Sequence, residues 1–466
     1  MADISRRSFL KGAAGITVGM GVMPIMGLLG VDTKAKAEAT AEQGLKYFEN
    51  LNNSDELLQA VLNETEITSD VTLPSGKVIP AIYVRMRNRI NRIGKGIGSV
   101  PAENSFDMIM NLWSPEDAEN YMKMPLHELF TAANYAAEAG ITEEEAEKIL
   151  WDQSKRCLIY RVNRAGQYHY SLMPWVNGFW EFYELDILFN HNKSGDPCNP
   201  DAEAMAKVAE FNSWGINNGG IDEYNTTFAL FRSYPIGVEA IAEDKLLPYE
   251  DWRAVIKRHK TITVSPCQCR SMFKAVGVPI PQDHPMETCL SFGDVAEYFI
   301  ENNLGRQITQ EEAVSIMENA IAKGMVVEAL CAKNPDILCC CHADSCGNLM
   351  GFRGFDGNVG CQKYYSAYTL EYDKDKCLKC GLCVAKCPMH SIKQTEDGLV
   401  VTDNACVRCG QCVPSCPGKA RILKAMPDYP EMPDNYLETN KFFAKDRMQR
   451  GTRSISPARI CNRRIS

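Results

Sequence analysis

The sequence predicts an α+β fold in three parts: a helical N-terminal part, an α/β middle part rich in cysteine, and a small C-terminal part built on a repeated cysteine motif. Three observations support this fold class. Capped helical patterns occur in the N-terminal half, β-rich runs alternate with helices in the middle, and most of the 20 cysteines lie in the C-terminal half. With 466 residues, of which 45% are hydrophobic, the chain can form two or three domains with cores of their own.

Residues 126–172 give the clearest pattern in the N-terminal part. A helix from Leu126 to Ala139 stops at Gly140, Thr142-Glu143-Glu144-Glu145 caps a second helix, and two β-rich runs flank the turn Asn163-Arg164-Ala165-Gly166. This order of elements, a helix, a turn, a second helix and a hairpin, resembles a winged-helix domain. Because the chain is acidic, we expect a scaffold or docking module rather than a DNA reader.

The middle part alternates helices and strands. Glu250 to His259 reads as a helix, Thr261 to Val264 as a strand, Phe292 to Asn302 as a helix, and Met325 to Leu330 as a strand. Thr309-Gln310-Glu311-Glu312 is a capping box that precedes a further helix. The cysteines of this part therefore lie at the ends of regular elements, where loops converge.

The C-terminal part contains a duplicated cysteine motif. Residues 377–388 read CLKCGLCVAKCP and residues 406–417 read CVRCGQCVPSCP, so Cys-x2-Cys-x2-Cys-x3-Cys-Pro recurs after 29 residues. Three thiolates at this spacing can bind three irons of one [4Fe–4S] cube, and the fourth cysteine reaches the other cube. Two zinc knuckles are the alternative, but zinc sites seldom use this spacing in duplicate.

Residues of about 367 to 425 therefore resemble a bacterial two-cluster ferredoxin domain. The resemblance implies two [4Fe–4S] clusters. One ligand set is Cys377, Cys380, Cys383 and Cys416. The other ligand set is Cys406, Cys409, Cys412 and Cys387. His390, just after the first motif, is interpreted as a side chain packed beside a cluster.

A second set of cysteines lies in the middle part. Its members occur in Ser265-Pro266-Cys267-Gln268-Cys269-Arg270, at Cys289, at Cys331, in the run LCCCHADSC of residues 338–346, and at Cys361. Because alternate side chains of an extended segment face opposite ways, Cys339 and Cys341 can face one site while Cys340 turns away. The predicted third metal site consists of five thiols: Cys267, Cys269, Cys289, Cys339 and Cys341. An iron–sulfur cluster is favoured there over zinc.

Disulfides and a nucleophile are the alternatives for these cysteines. Vicinal cysteines are strained disulfide partners, and adjacent residues such as Cys341 and His342 rarely present a catalytic pair to one substrate. Arg270 either neutralises the thiolates or forms a surface ion pair. Residues of roughly 235 to 425 also resemble a group of anaerobe proteins that combine a Cys-x-Cys-Arg segment, a cysteine-crowded run and a two-cluster ferredoxin domain. This resemblance implies electron transfer and defines no reaction.

The N-terminus has the pattern of an export signal. Ser5-Arg6-Arg7-Ser8-Phe9-Leu10-Lys11 precedes an apolar run from Ala13 to Gly30, and Ala35-Lys36-Ala37 is a small-x-small cleavage pattern. This resembles a twin-arginine (Tat) signal, which exports folded proteins to the periplasm or the outer face of the cytoplasmic membrane. An uncleaved membrane anchor is the alternative. Export in folded form favours metal clusters over disulfides for the 20 cysteines.

The charge of the chain limits its partners. The formal net charge is −9, which argues against nucleic acid as the main partner. Residues 440–466 differ, because they carry eight Lys or Arg residues against the single acid Asp446. A disordered, solvated tail is predicted there. The alternative is an arm that docks on an acidic partner or on anionic lipid, and an uncleaved signal would also allow membrane association.

These features predict an exported iron–sulfur electron-transfer protein of anaerobic respiration. It relays single electrons through two [4Fe–4S] clusters and a third metal site, to or from a partner oxidoreductase. Since no residue set for substrate chemistry stands out, a relay subunit is favoured over an enzyme. The plan also resembles corrinoid-dependent reductive dehalogenases, but their second motif is usually irregular and the middle cysteines have no role in them. A redox sensor is a third alternative, which the export signal disfavours.

The chain is accordingly divided at changes in pattern. The predicted parts are the Tat signal peptide 1–37, a helical region 38–112, a winged-helix-like domain 113–188, a helical linker region 189–260, a cysteine-rich metal-binding domain 261–366, a two-cluster ferredoxin domain 367–425 and a basic tail 426–466.

Overall fold

The computed structural model describes residues 67–73, 76–94, 103–222, 228–236, 250–354, 363–426 and 432–449. The signal peptide predicted for residues 1–37, Cys361 and the end of the basic tail lie outside the described residues. Within the described stretches, no helix has the length and the apolar character needed to cross a membrane.

The N-terminal part is mainly helical. Its elements are β1 (Val71–Thr72), β2 (Val78–Ile79), α1 (Ala81–Ile90), α2 (Glu103–Leu112), α3 (Pro115–Met122), α4 (Ala132–Ala139), α5 (Glu143–Lys155), β3 (Tyr160–Arg164), β4 (Gln167–Ser171), α6 (Trp180–Asn190) and α7 (Ala202–Asp222). They enclose one large apolar core. Trp113 is fully buried in this core and packs edge-on against Tyr121 and Phe179.

The order helix, helix and hairpin occurs in α4, α5, β3 and β4. Thr131 and Thr142 each form a capping box at the start of a helix, and Gly140 ends α4 in the left-handed conformation (φ 71°). The first helix begins at Ala132 rather than at the predicted Leu126. The reason is that the Thr131 side chain accepts the backbone N–H of Asn134 and so fixes the start of the helix.

The middle part is built on one sheet with helices around it. Its elements are β5 (Phe228–Tyr234), α8 (Trp252–Arg258), β6 (Ile262–Pro266), α9 (Gln268–Ala275), β7 (Glu287–Phe292), α10 (Gly293–Asn302), β8 (Arg306–Gln307), α11 (Gln310–Ala322), β9 (Val326–Leu330), β10 (Ile337–Cys341), α12 (Gly347–Gly354) and β11 (Lys363–Tyr365). The seven strands lie in the order β11-β5-β9-β10-β7-β6-β8. All neighbours are antiparallel except β11 and β5, which are parallel.

Residues 189–260 are not purely the helical linker that the sequence predicts, because β5 enters the sheet between β9 and β11. The strand is rich in aromatic residues, which favour pleated structure. It pairs with β9 from Phe231 opposite Leu330 to Tyr234 opposite Val327. This pairing joins the end of the N-terminal half to the cysteine-rich part.

The two faces of the sheet differ because side chains alternate along each strand. On one face, Val327, Leu338 and Cys340 belong to an apolar core that α8 and α11 complete. On the opposite face, Val326 and Cys341 belong to a second core, which extends into the C-terminal part. The middle cysteines therefore lie where the sheet meets the C-terminal part.

The C-terminal part consists of β12 (Tyr368–Tyr372), α13 (Leu382–Ala385), β13 (Ile392–Gln394), β14 (Val400–Thr402), β15 (Arg421–Ala425) and α14 (Tyr436–Gln449). β12 pairs with β15 and β13 with β14, so the outer strands enclose both cysteine motifs. α14 lies where the sequence predicts a solvated tail. Phe443 is fully buried there, and Thr439 donates a hydrogen bond to the carbonyl oxygen of Cys331 at 3.0 Å. These contacts hold the helix against the middle part despite its basic charge.

Arg161 of β3 ties the N-terminal part to α10 of the middle part. Its guanidinium is buried, lies 3.0 Å from the Glu301 carboxylate and stacks 4.4 Å from the ring of Trp151. We expect Arg161→Ala to lower the free energy of unfolding by about 3 kcal/mol, because it removes the stacking on Trp151 and the hydrogen bonds to Glu301 and Ser154 and leaves a buried cavity. Urea unfolding followed by circular dichroism measures the change.

Arg164→Ala is the matched control for this prediction. Arg164 lies on the same hairpin and pairs with Asp294 of the same helix, but its side chain is 54% exposed. The expected loss is below about 1 kcal/mol. Equal losses for the two variants would contradict the role given to Arg161.

Candidate metal centres

Two strands and the start of one helix bring the middle cysteines together. These cysteines are Cys289 on β7, Cys339 and Cys341 on β10, and Cys267 and Cys269 at the start of α9. Cys340 points to the other face of the sheet, where its thiol lies 3.4 Å from the Met317 sulfur. The alternation along β10 thus places two of its three thiols toward the C-terminal part.

The thiols of this group contact one another in succession. The contacts are Cys267 with Cys269, Cys269 with Cys346, Cys346 with Cys341, Cys341 with Cys339, and Cys339 with Cys289. Cys289 and Cys267, at the two ends of this series, also interact electrostatically. We refer to these six residues as the thiol ring.

Cys346 and Glu328 are members of the site that the sequence reasoning missed. The Cys346 sulfur lies 3.9 Å from Glu328 Oε2. Glu328 is fully buried in β9, directly opposite Cys339. Ligand atoms of Glu328, Cys341 and Cys346 all lie within 4.8 Å of one another. The available signals were the last cysteine of LCCCHADSC and a single acid in the apolar strand VVEAL.

Arg270 is the buried cation of this site. It is 0% exposed, and its Nη1 donates to the carbonyl oxygen of Cys340 at 3.1 Å. Within the described part of the chain it has no acidic partner, so the expected alternative of a surface ion pair is wrong. Burial alone would lower the pKa of Arg270, but the thiols of Cys267 and Cys341 raise it above its ordinary value. The guanidinium therefore favours ionised thiols around it.

Hydrogen bonds within the ring favour the thiolate, which is the metal-binding form of cysteine, at two of the six members. Hydrogen bonds from Cys289 and Cys341 hold the pKa of Cys339 well below its ordinary value. Hydrogen bonds from Cys269 and Cys341 lower the pKa of Cys346 to about 7. Glu328 behaves in the opposite way, since burial raises its pKa to about 8. Hydrogen bonds to neighbouring thiols and burial raise the pKa of the other four ring members, so only Cys339 and Cys346 are shifted toward the thiolate. Within the described residues, no Lys or Arg pairs with the Glu328 carboxylate.

A cleft in the C-terminal part is lined by four cysteines of the motifs: Cys377, Cys380, Cys383 and Cys416. About 340 Å³ of this cleft is free of protein atoms, part of it open to solvent. Three of the cysteines come from the first motif and one from the second, because the pairing of β12 with β15 folds the chain back on itself. The ferredoxin resemblance assigns the same four residues to one cluster.

The remaining four motif cysteines also lie together. Cys406, Cys409 and Cys412 interact electrostatically with Cys387 of the first motif. Cys387 and Cys412 are buried, whereas Cys380 of the first group is exposed. The two groups therefore have the same ligands and different access to solvent.

The duplication extends to the backbone conformation. Lys379 and Arg408 have φ of 56° and 58°, and Gly381 and Gly410 have φ of 72° and 83°, with the spacing of the two motifs. In the first motif this turn directs the N–H of Lys379 at the Cys377 sulfur, 3.4 Å away. The N–H of Arg408 bonds the corresponding thiol of the second motif. Hydrogen bonds of this kind help to set cluster potentials.

A polar contact joins the LCCCHADSC run to the first motif. His390 Nε2 lies 2.9 Å from Asp344 Oδ2, and Arg353 Nη1 lies 3.2 Å from Asp344 Oδ1. Burial alone would raise the pKa of Asp344, but the hydrogen bond with His390 and the nearby charges lower it to about 2. Because two basic groups already engage this carboxylate, we interpret the contact as a bridge between the parts. His390 thus does more than pack beside a cluster.

The alternatives of disulfides and of a nucleophile find no support in the geometry. The 18 cysteines that lie in the described part of the chain carry free thiols. His342 Nδ1 accepts the backbone N–H of Asp344 at 3.1 Å, so this nitrogen is already engaged in a hydrogen bond. Cys331, near the site in sequence, donates to the carbonyl oxygen of Ala229 at 3.2 Å and lies outside the thiol ring.

Comparison with known proteins identifies the C-terminal part. Residues 362–421 match the family of 4Fe-4S dicluster domains, close to the predicted 367–425. No curated protein and no solved structure matches the chain significantly. Iron–sulfur clusters bound by this part, and a general role in iron–sulfur electron transfer, are therefore supported for the chain.

Proposed function

We propose that this chain relays single electrons through two [4Fe–4S] clusters and a third, cysteine-ligated metal site. One cluster is assigned to Cys377, Cys380, Cys383 and Cys416. The other is assigned to Cys406, Cys409, Cys412 and Cys387. The third site is the thiol ring. Such clusters transfer one electron at a time, and burial and hydrogen bonds to sulfur tune their potentials.

The observation that carries this proposal is the apolar core shared by the thiol ring and the cysteine motifs. Cys341 and Cys346 of the ring belong to the same cluster of buried side chains as Cys387 and Cys412. At this junction the N–H of Ala343 donates to the carbonyl oxygen of Pro388, next to Cys387, at 3.1 Å. The third site thus shares one buried core with the second ligand set, which supports electron transfer between them.

The two ligand sets of the motifs differ in solvent exposure, and this difference supports one of them as the entry point for electrons. Beside the exposed Cys380, the side chains of Leu378 and Leu382 are 65% and 46% exposed. An exposed apolar surface next to a cluster suits contact with another redox protein. A partner oxidoreductase, or another redox protein, therefore exchanges electrons at the first ligand set. The buried second set connects this entry point to the thiol ring.

The remaining parts of the proposal rest on sequence. The twin-arginine pattern in residues 1–37 supports export after cofactor insertion, to the periplasm or the outer face of the cytoplasmic membrane. The winged-helix-like residues 113–188 serve as a docking module, and the basic C-terminal residues contact an acidic partner or the membrane surface. Substrate chemistry then belongs to the partner chain.

Metal analysis of anaerobically purified protein tests the proposal. We expect about twelve irons with matching sulfide, and EPR signals from three interacting centres after reduction. About eight irons with one zinc would leave the C-terminal relay and make the thiol ring structural. Stoichiometric cobalt would contradict the relay and indicate a corrinoid enzyme.

Paired cysteine substitutions test the third site separately. Cys339→Ala should remove about four irons and leave about eight, because it takes one thiolate from the ring and none from the motifs. Cys340→Ala is the matched control, since this neighbouring thiol faces Met317 on the other side of the sheet. It should retain the full iron content. Loss of iron in both variants, or in neither, would argue against a cluster in the ring.

A pair of glycine variants tests the contact between the C-terminal part and the sheet. A Cβ on Gly410 would lie 2.2 Å from the carbonyl oxygen of Ile236, whereas one on Gly381 would meet the flexible Gln394 side chain at 3.2 Å. Both alanine variants bear left-handed strain of about 1–2 kcal/mol. Gly410→Ala must also displace backbone, so we expect a larger loss of stability in urea unfolding followed by cluster absorbance. Equal losses would mean that this docking contact is unimportant.

A further inference from the structure

We infer that the thiol ring binds a second metal ion beside one cubane cluster, and that Cys341, Cys346 and Glu328 bind this ion. The inference rests on the proposed function, in which the ring is a metal site. The ion belongs to the divalent transition metals that accept thiolate and carboxylate ligands, such as zinc or ferrous iron.

The thiol ring contains more cysteines than one [4Fe–4S] cluster requires as ligands. A [4Fe–4S] cluster takes four cysteine thiolates, whereas the ring has six. Four of them form two contacting pairs that interact with each other: Cys267 with Cys269, and Cys289 with Cys339. Cys341 and Cys346 remain as a third contacting pair. This division leaves two thiols beside the buried carboxylate.

The geometry of the remaining pair with Glu328 suits one metal ion. Zinc–sulfur bonds of about 2.3 Å and zinc–oxygen bonds of about 2.1 Å place a tetrahedral sulfur and oxygen about 3.6 Å apart. The Cys346 sulfur and Glu328 Oε2 are 3.9 Å apart. All three ligand atoms lie within 4.8 Å of one another. Small side-chain adjustments therefore suffice to bind an ion.

The burial of Glu328 supplies an independent reason for a cation. Its side chain is 0% exposed, and its carboxylate accepts a long hydrogen bond from Asn348 at 3.4 Å and contacts Cys341 and Cys346. A buried carboxylate is costly unless it is paired or coordinates a metal. Arg270, the buried cation of the site, makes its hydrogen bonds elsewhere. A metal ion between the carboxylate and the two thiols meets this requirement.

Three protein ligands leave one tetrahedral position. Cys269 contacts Cys346, and Cys339 contacts Cys341. A thiolate assigned to the cube is therefore within reach of the fourth position. Such a thiolate would complete the coordination of the ion, and the ion would balance the charge of the buried thiolates and the Glu328 carboxylate.

Metal content and anomalous X-ray scattering at the iron and zinc edges test the inference on the full chain purified without oxygen. We expect one metal ion per chain beyond about twelve irons, and an anomalous peak between the two sulfurs and the Glu328 carboxylate. Glu328→Gln should lose this ion and its peak while it keeps the iron and the EPR signal of the third cluster. Glu184→Gln is the control, since Glu184 is fully buried near Cys267 but bonds Asn212. It should keep all metals.

The outcomes separate this inference from the function on which it rests. An anomalous map of the wild-type protein without that peak, with about twelve irons present, overturns the second ion and leaves the relay intact. Loss of about four irons in Glu328→Gln means that Glu328 ligates the cube itself, which also overturns the inference. Iron confined to the C-terminal part contradicts the third cluster.

Discussion

The crowding of six thiols together with one buried carboxylate and one buried guanidinium is the constraint on which the middle of this protein depends. Charged groups in such a place are costly unless they are paired or bound to metal. Arg270 balances one negative charge, and the remaining ligands require metal ions or protons. Since the ligands come from three strands and the starts of two helices, they meet only after the sheet has formed. Metal binding is therefore coupled to folding of the middle part.

The duplicated motifs became unequal through their surroundings rather than through their ligands. Both repeat the cysteine spacing and the left-handed residues, but Gly410 packs against the backbone of Ile236, whereas Gly381 faces the flexible Gln394 side chain. The N–H of Ile236 donates to the carbonyl oxygen of Cys409 at 2.9 Å, which anchors the second motif to the sheet. Burial and hydrogen bonding differ as a result. In the proposed relay, two clusters of the same type would then differ in potential.

Local signals in the sequence were sufficient where local physics decides the structure. The capping box at Thr142 and the duplicated cysteine spacing depend on contacts within a few residues. Partners distant in sequence were harder to predict. β5 joins the sheet through pairing with β9, about a hundred residues later, and Glu328 reaches Cys346 only across neighbouring elements. The apolar strand VVEAL around this acid was a local signal of burial, but nothing local showed which groups the acid would reach. The alternation along LCCC indicated which thiols share a face, but not that Cys346 would complete the ring.

The helical N-terminal part covers one side of the thiol ring, which is a physical reason for the two to occur in one chain. α6 and α7 pack on α9, the helix that begins with Cys267 and Cys269. Trp180 of α6 lies against the apolar group of Met272 and Phe273, which also adjoins Cys269. Exclusion of water lowers the local dielectric constant. The charge of Arg270 and the hydrogen bonds between thiols then have a larger effect on the pKa values of the ring thiols. A small dicluster domain offers no such cover by itself. On this argument the N-terminal half belongs to the same redox unit as the cysteines, whatever surface it also offers to a partner.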